Sequence, residues 1–171
     1  GRAVGFASGG YTSNGLHMSL DSKIMPVVSK SLVTRPLTAQ ELAATNFKTT
    51  EVITDTRTLR FYYRRLPDNR VQIGSRSAIT GADAPHPRHM AVLVDGLHRK
   101  FPALKGIAID HSWWGWVDVS HDMMPRITQP DAGQSVFYAL GYGGNGVSFS
   151  AHAGRRLAQR IAGRADAAFQ L

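Results

Sequence analysis

Apolar positions recur along the 171 residues in two rhythms, and the changes of rhythm mark the elements. Residues 2–7 form a short apolar run ending at the turn Ser8-Gly9-Gly10. A second run, KIMPVVSKSLVT at 23–34, also reads as a strand. After Pro36, TAQELAA carries helix-start signals, with Thr38 as N-cap and Glu41 as its capping-box partner. TLRFYYRRL and RVQIGSRS predict a hairpin joined at Pro67-Asp68-Asn69, because proline suits the first inner turn position and asparagine tolerates a left-handed backbone. Met90, Leu93, Val94, Leu97 and Phe101 then fall on one helical face, and Pro102 stops the helix.

From Gly106 to Ser120 the period drops to two. Ile107, Ile109, Trp113, Val117 and Val119 share one face of a long strand, and Ala108, Asp110, Ser112, Trp114, Trp116 and Asp118 the other. Strands at 125–128 and 134–140 complete a large sheet, the latter apolar on both sides and therefore central. Over 147–161 the helical period returns, with Val147, Ala151, Gly154, Ala158 and Ile161 on the buried arc. His152, Arg155, Arg156, Gln159 and Arg160 lie opposite, and Gly163 closes the helix. The fold class expected is α+β: a mixed, largely antiparallel sheet with helices on one face, followed by a strand-loop-helix.

That last unit holds Gly141, Gly143 and Gly146 at the spacing G-x-G-x-x-G. A helix N-terminus reached through residues without a Cβ can hold an anion or an electron-rich oxygen. A dinucleotide-binding unit would need a second parallel strand with an acidic residue about 20 positions on. Asp166 has the spacing but follows the helix directly, with no strand for it to end. A purely structural glycine turn stays open beside a ligand of another kind.

Composition narrows the classes. No 18-residue apolar run and no leader pattern occur, which points to a cytoplasmic protein without a membrane partner. The absence of cysteine excludes disulfides, thiolate metal sites and a cysteine nucleophile. The net charge of +8 is scattered, with no run of five like charges and no basic-aromatic interleaving, so no nucleic-acid partner is expected. Ser120-His121-Asp122 are strand neighbours pointing to opposite faces, which forbids a relay. His86, His89 and His121 lack a carboxylate spaced to complete a metal site, and no metal is expected. Trp113, Trp114 and Trp116 fit either a binding platform or the filling of a buried face.

GYGGNGVSFSAHAGRRLAQRIAG resembles the C-terminal flavin-contacting segment of the FAD-dependent amine and amino-acid oxidoreductases, the D-amino-acid oxidase and glycine oxidase superfamily. FASGGYTSNGL resembles the turn closing the FAD domain, MPVVSKSLVTRPL the strand returning to the substrate domain, and YYRRLPDNRVQIGSR its hairpin. FPALKGIAIDHSWWGWVDVSHDMMPRI is similar to the segment with W-x-G and a later D-x-x-P. The resemblance covers nearly the whole chain in register and is strongest to the γ-glutamylputrescine oxidase-like branch.

It implies a C-terminal fragment of a longer flavoprotein. Residues 1–20 would end the FAD-binding domain, 21–120 form the substrate domain, and 121–171 supply the last flavin-contacting segment, completing the FAD domain. Gly9 and Gly10 would contact FAD, as would Gly143, Gly144, Asn145, Gly146, Val147 and Ser148. Backbone amides there stabilise the negative charge that builds at flavin N1 and O2. The implied reaction is oxidation of the C–N bond of a small amine or amino acid by hydride transfer to FAD, with the fragment alone inactive and a poor FAD binder. Tyr63, Arg65 and His111 are the expected substrate contacts, the first two because they share a hairpin face, and no catalytic residue is assigned. Two positions depart from the sarcosine oxidase branch. Ser148 stands where a lysine binds the substrate carboxylate, and Gln72 where a lysine helps oxygen react. An amide cannot supply that charge, so oxygen and another electron acceptor both stay open. The rival reading is a non-enzymatic binding domain, for a polyanion or protein partner, with a structural glycine loop.

Overall fold

The computed structural model describes residues 2–78 and 83–164; Asp166 lies outside them. The elements run β1 (Val4–Phe6), β2 (Met25–Thr34), α1 (Ala39–Thr45), β3 (Ile53–Thr54), β4 (Phe61–Arg65), β5 (Val71–Ala78) and α2 (Pro87–Lys100). They continue as β6 (Ile109–Val119), β7 (Arg126–Thr128), β8 (Val136–Leu140) and α3 (Gly146–Ile161). The chain divides into two compact units, Val28–Gly115, and Gly1–Val27 with Trp116–Leu171.

In the first unit the strands order β3-β4-β5-β2-β6, and β3/β4, β4/β5 and β5/β2 pair antiparallel. The β4–β5 hairpin forms as expected: Asn69 N–H reaches Leu66 O at 3.0 Å and Leu66 N–H reaches Arg70 O at 2.8 Å. Asn69 takes φ 65°, the left-handed residue that a three-residue hairpin loop requires. Thr38 and Glu41 complete a capping box on α1. Register puts Leu32, Ile73 and Tyr63 side by side, on the face where Phe61, Leu93, Leu97 and Phe101 build the core. Gly96 lets α2 approach that face, since a Cβ there would stand 2.4 Å from Phe61 Cζ. On the other face the Tyr62 ring lies over Gly74, and its hydroxyl hydrogen-bonds Ser29 and Ser31 at 2.8 and 3.1 Å.

Three expectations are corrected. The large single sheet is two, because β7 and β8 join β1 in a separate three-stranded sheet ordered β1-β8-β7. Within it β8 is indeed central, parallel to β1 and antiparallel to β7. The alternation of β6 does not bury one face throughout: β6 is the last strand of its sheet, exposed on both faces from Asp110 to Trp114.

The third correction is the face of α3. Ala153 is its buried residue, packed with Phe149, Leu157 and Tyr142 on Ile127 and Ala139. The expected arc is outside, with Val147 fully exposed and Gly154 facing open space. The helix does end at Gly163 (φ 69°). Arg164 N–H reaches Gln159 O at 2.8 Å and Gly163 N–H reaches Arg160 O at 3.0 Å, the bond pair of a Schellman cap.

Candidate functional site

The parallel pairing of β1 with β8, Val4 opposite Val136 through Phe6 opposite Tyr138, brings the carboxyl ends of both strands together. The Ser8-Gly9-Gly10 turn therefore leaves the sheet at the same edge as the loop that begins at Gly141. Ligands of parallel sheets sit outside such an edge. Gly9 has φ 56° and Gly10 does not have a positive φ. What Gly10 supplies is room, because a Cβ there would stand 2.6 Å from Trp116 Cβ and 2.8 Å from its carbonyl carbon.

Gly141, Gly143 and Gly144 adopt φ of 78°, 58° and 92°, a sequence of left-handed residues costly for any side chain with a Cβ. The loop is pinned by Asp118. This buried carboxylate accepts the Gly141 N–H through Oδ2, and the Asp118 carbonyl accepts the Gly143 N–H at 2.9 Å. Val119 bridges to Tyr142 in the same stretch. Burial first, and the Asp118 charge second, raise the Tyr142 phenol above its ordinary range. By its sequence position Asp118 is one polar residue on a strand face. Its signal was an acid in the otherwise apolar run WVDV.

At the start of α3, Asn145 occupies the N-cap but its side chain makes no capping bond. The first helical bond is Phe149 N–H to Asn145 O, 3.0 Å, so Gly146, Val147 and Ser148 present amides without an intrahelical acceptor. Ser148 Oγ donates to Asn145 O at 3.0 Å and leaves those amides uncovered. A cavity of about 290 Å³ in this unit is lined by Lys23, Ser120, His121 and Met123 among others. Met123 O lies 3.3 Å from where a Gly143 Cβ would be.

The expected substrate contacts separate. Tyr63 and Arg65 do share a face, but it is the one toward the core. Tyr63 packs on Phe47 and Phe101, and Arg65 bonds Asn69 Oδ1 and Lys48 O at 3.2 and 3.1 Å. Those contacts commit both side chains to packing and turn geometry. His111 is exposed on β6. The opposite face of the hairpin carries Tyr62, Arg64 and Gln72, with Arg64 Nε donating to Gln72 Oε1 at 3.1 Å.

Ser120, His121 and Asp122 form a turn. Ser120 Oγ lies 3.1 Å from Asp122 Oδ1 and 2.8 Å from Met124 O, and Arg126 holds the Asp122 carboxyl well below the usual carboxylate range. His86 caps α2, its Nδ1 accepting the Arg88 N–H at 3.1 Å, and His89 is buried. Among the described residues no three histidine, aspartate or glutamate side chains cluster to hold a metal.

Residues 1–160 match the model of the DAO family, the FAD dependent oxidoreductases. The chain belongs to this family. It is 30% identical over 148 residues to OrdL, a probable oxidoreductase of Haemophilus influenzae, covering 86% of this chain and 32% of that protein. It is 30% identical over 160 residues to gamma-glutamylputrescine oxidoreductase of Escherichia coli, covering 94% and 36%. The chain thus spans about a third of the length of the curated relatives it matches. Among solved structures it superposes on glycine oxidase from Geobacillus kaustophilus with TM-score 0.72 at 21% identity, covering 99% of this chain and 43% of that one. A modified fructosyl peptide oxidase from Aspergillus nidulans gives TM-score 0.75 at 14% identity, covering 99% and 44%. At those identities the likeness is one of fold.

The family's flavin poses a test that the loop passes. An N-cap asparagine that leaves its helix uncapped, three successive open amides, and a side chain at Val147 that touches nothing leave the α3 N-terminus free to receive an electron-rich ring edge.

Proposed function

We propose that this chain is the substrate-domain and C-terminal part of an FAD-dependent oxidoreductase that oxidises the C–N bond of a small amine or amino acid. The observation that carries the reading is the family match over residues 1–160, whose C-terminal part includes the uncapped start of α3. When bound, the flavin supplies the hydride acceptor. The amides of Gly144, Gly146, Val147 and Ser148 would then hold its electron-rich edge, and the positive end of α3 favours negative charge there. Gly143 spends its N–H on Asp118 O, so its part is to shape the loop. Gly9 and Gly10 would close the same edge of the β1–β8 pair.

For the substrate, the Tyr62, Arg64 and Gln72 face is the better candidate than Tyr63, which packs on the core, and Arg65, which bonds Asn69 Oδ1 and Lys48 O. Val28–Gly115 would be the substrate domain. Ser148 would act through its amide, its hydroxyl being turned back to Asn145 O.

The test is the full-length protein. It should purify yellow, and anaerobic addition of amines or amino acids should bleach the flavin absorbance for at least one of them. A colourless protein that takes up no FAD would sink the reading and favour the non-enzymatic binding domain.

A further inference from the structure

One cavity is built from residues of the Val28–Gly115 unit alone and has ligand-binding chemistry of its own. In the Val28–Gly115 unit a recess of about 320 Å³ is lined by Arg57, Phe61, Ser77, His89 and Arg99 among others. Among the described residues no aspartate or glutamate lines it, although Asp83 stands behind His89. Among the described residues, two polar atoms of its lining are buried with no hydrogen-bond partner, Ser77 Oγ and His89 Nε2. His89 is 4% exposed, and its Nε2 lies 3.3 Å from Asp83 Oδ2 without the alignment of a hydrogen bond. Burial, then the charges of Arg88 and Lys30, push the imidazole below its ordinary range. A neutral ring keeps one N–H to donate, and orphaned buried polar atoms call for an occupant.

The guanidinium groups are partly engaged and not saturated. Arg57 lies 4.0 Å over the Phe61 ring and gives Nε and Nη2 to Asp55 Oδ2 at 3.0 and 2.7 Å. Arg99 pairs with Asp95 at 3.0 Å. Each arginine has five N–H donors in a planar fork suited to an oxyanion. With Lys100, 3.1 Å from the same Asp55, Arg76 in the lining and the Arg88–Asp83 pair beside His89, five cations stand against three carboxylates. Leu59 and Val92, 59% and 49% exposed, line the recess too and make it amphipathic.

We propose that this recess binds a small organic oxyanion, a carboxylate or phosphate ester carrying a short apolar part. Arg57 and Arg99 take its charge, Ser77 meets an oxygen, His89 forms part of the wall, and Leu59 and Val92 cover its apolar end.

The test is calorimetric titration of the full-length holoprotein with hexanoate, with inorganic phosphate, and with 1-hexanol as uncharged control. Saturable binding of hexanoate or phosphate, weakened at least tenfold in an Arg57→Gln/Arg99→Gln variant and severalfold in Ser77→Ala, supports the site. Hexanoate alone binding assigns it to carboxylates, and phosphate alone to phosphate esters. If the double variant does not fold, Ser77→Ala and the movement of the His89 ring-proton resonance on titration decide. Neither anion saturating, hexanol binding as well as hexanoate, or affinity unchanged in the variants would overturn the proposal.

Discussion

Removing the Asp118 carboxylate should release one defined point of the glycine loop. In Asp118→Ala the Gly143 N–H keeps its acceptor, the backbone carbonyl of residue 118 at 2.9 Å, while the Gly141 N–H loses Oδ2 at a buried position. An unpaired buried donor costs about 1–3 kcal/mol, toward the upper end when the lost acceptor was ionised. The space vacated by the carboxylate adds on the order of 1 kcal/mol. The expected loss is therefore about 2–4 kcal/mol, whereas Asp118→Asn, which keeps an acceptor oxygen of the same shape, should stay within about 1 kcal/mol of the parent. Urea unfolding followed by tryptophan fluorescence measures both. Hydrogen exchange supplies the local check, since the Gly141 amide should lose protection in Asp118→Ala while Gly143 keeps it. The Tyr142 phenol should titrate lower in the same variant, yet stay above its ordinary value, because burial is the larger cause of its shift. An Asp118→Ala protein as stable as the parent, or one in which both amides exchange alike, would refute the argument.

Three further outcomes follow from the contacts. Gly10→Ala should destabilise by more than about 2 kcal/mol in the same unfolding assay, since the new Cβ meets Trp116 backbone that cannot swing aside; a neutral result would mean the turn shifts freely. Arg35, bonded to both Glu41 oxygens at 2.8 and 2.7 Å, lowers the Glu41 carboxyl from 4.5 to about 2. A depressed native pKa stabilises above the unfolded value and is lost as pH falls from 4.5 to about 2. Glu41→Gln should thus flatten the acid dependence of Tm in that window, and identical slopes would contradict the pairing. Gly154→Ala, inside α3 with nothing within 4 Å of the new Cβ, should stabilise this chain by about 0.5–1 kcal/mol, read as a raised urea midpoint; a lowered midpoint would place an obstacle where the structure has none.

What the sequence made legible were the features closed within a few residues. The Thr38–Glu41 box, the Asn69 turn and the Gly163 cap each depend on bonds spanning six residues or fewer, so residue type alone decides them. Pairings over long separations were not legible. A run apolar on both sides marks β8 as a central strand, but nothing local says that its parallel partner is β1, more than a hundred residues earlier. FYYRR offers aromatic residues at both parities, so alternation finds two faces without telling which meets α2. The helix α3 has two apolar stripes, and its periodicity alone favours the one rich in small residues. The sheet beneath, with Ile127 and Ala139, is filled instead by the bulk of Phe149 and Leu157. Arg156 and Arg160, read as the polar arc, are partly buried on that side, since an arginine stem can cover apolar surface while its head reaches water.

Glycine shows most clearly why the site was only half readable. Taken as turn signals, the glycines located the 141–146 loop correctly, and their left-handed backbones agree. Gly10, Gly74 and Gly96 have no positive φ. They are there because Trp116, Tyr62 and Phe61 approach within 2.3–2.6 Å of the absent Cβ. Gly74 and Gly96 sit inside a strand and a helix, where glycine is locally unfavourable. A glycine in such a run therefore reports a neighbour that its own segment cannot name. At Gly74 that neighbour is Tyr62, held by Ser29 and Ser31 on the face proposed to meet substrate. Gly74 is thus a sequence clue to the ring that covers that face of the hairpin.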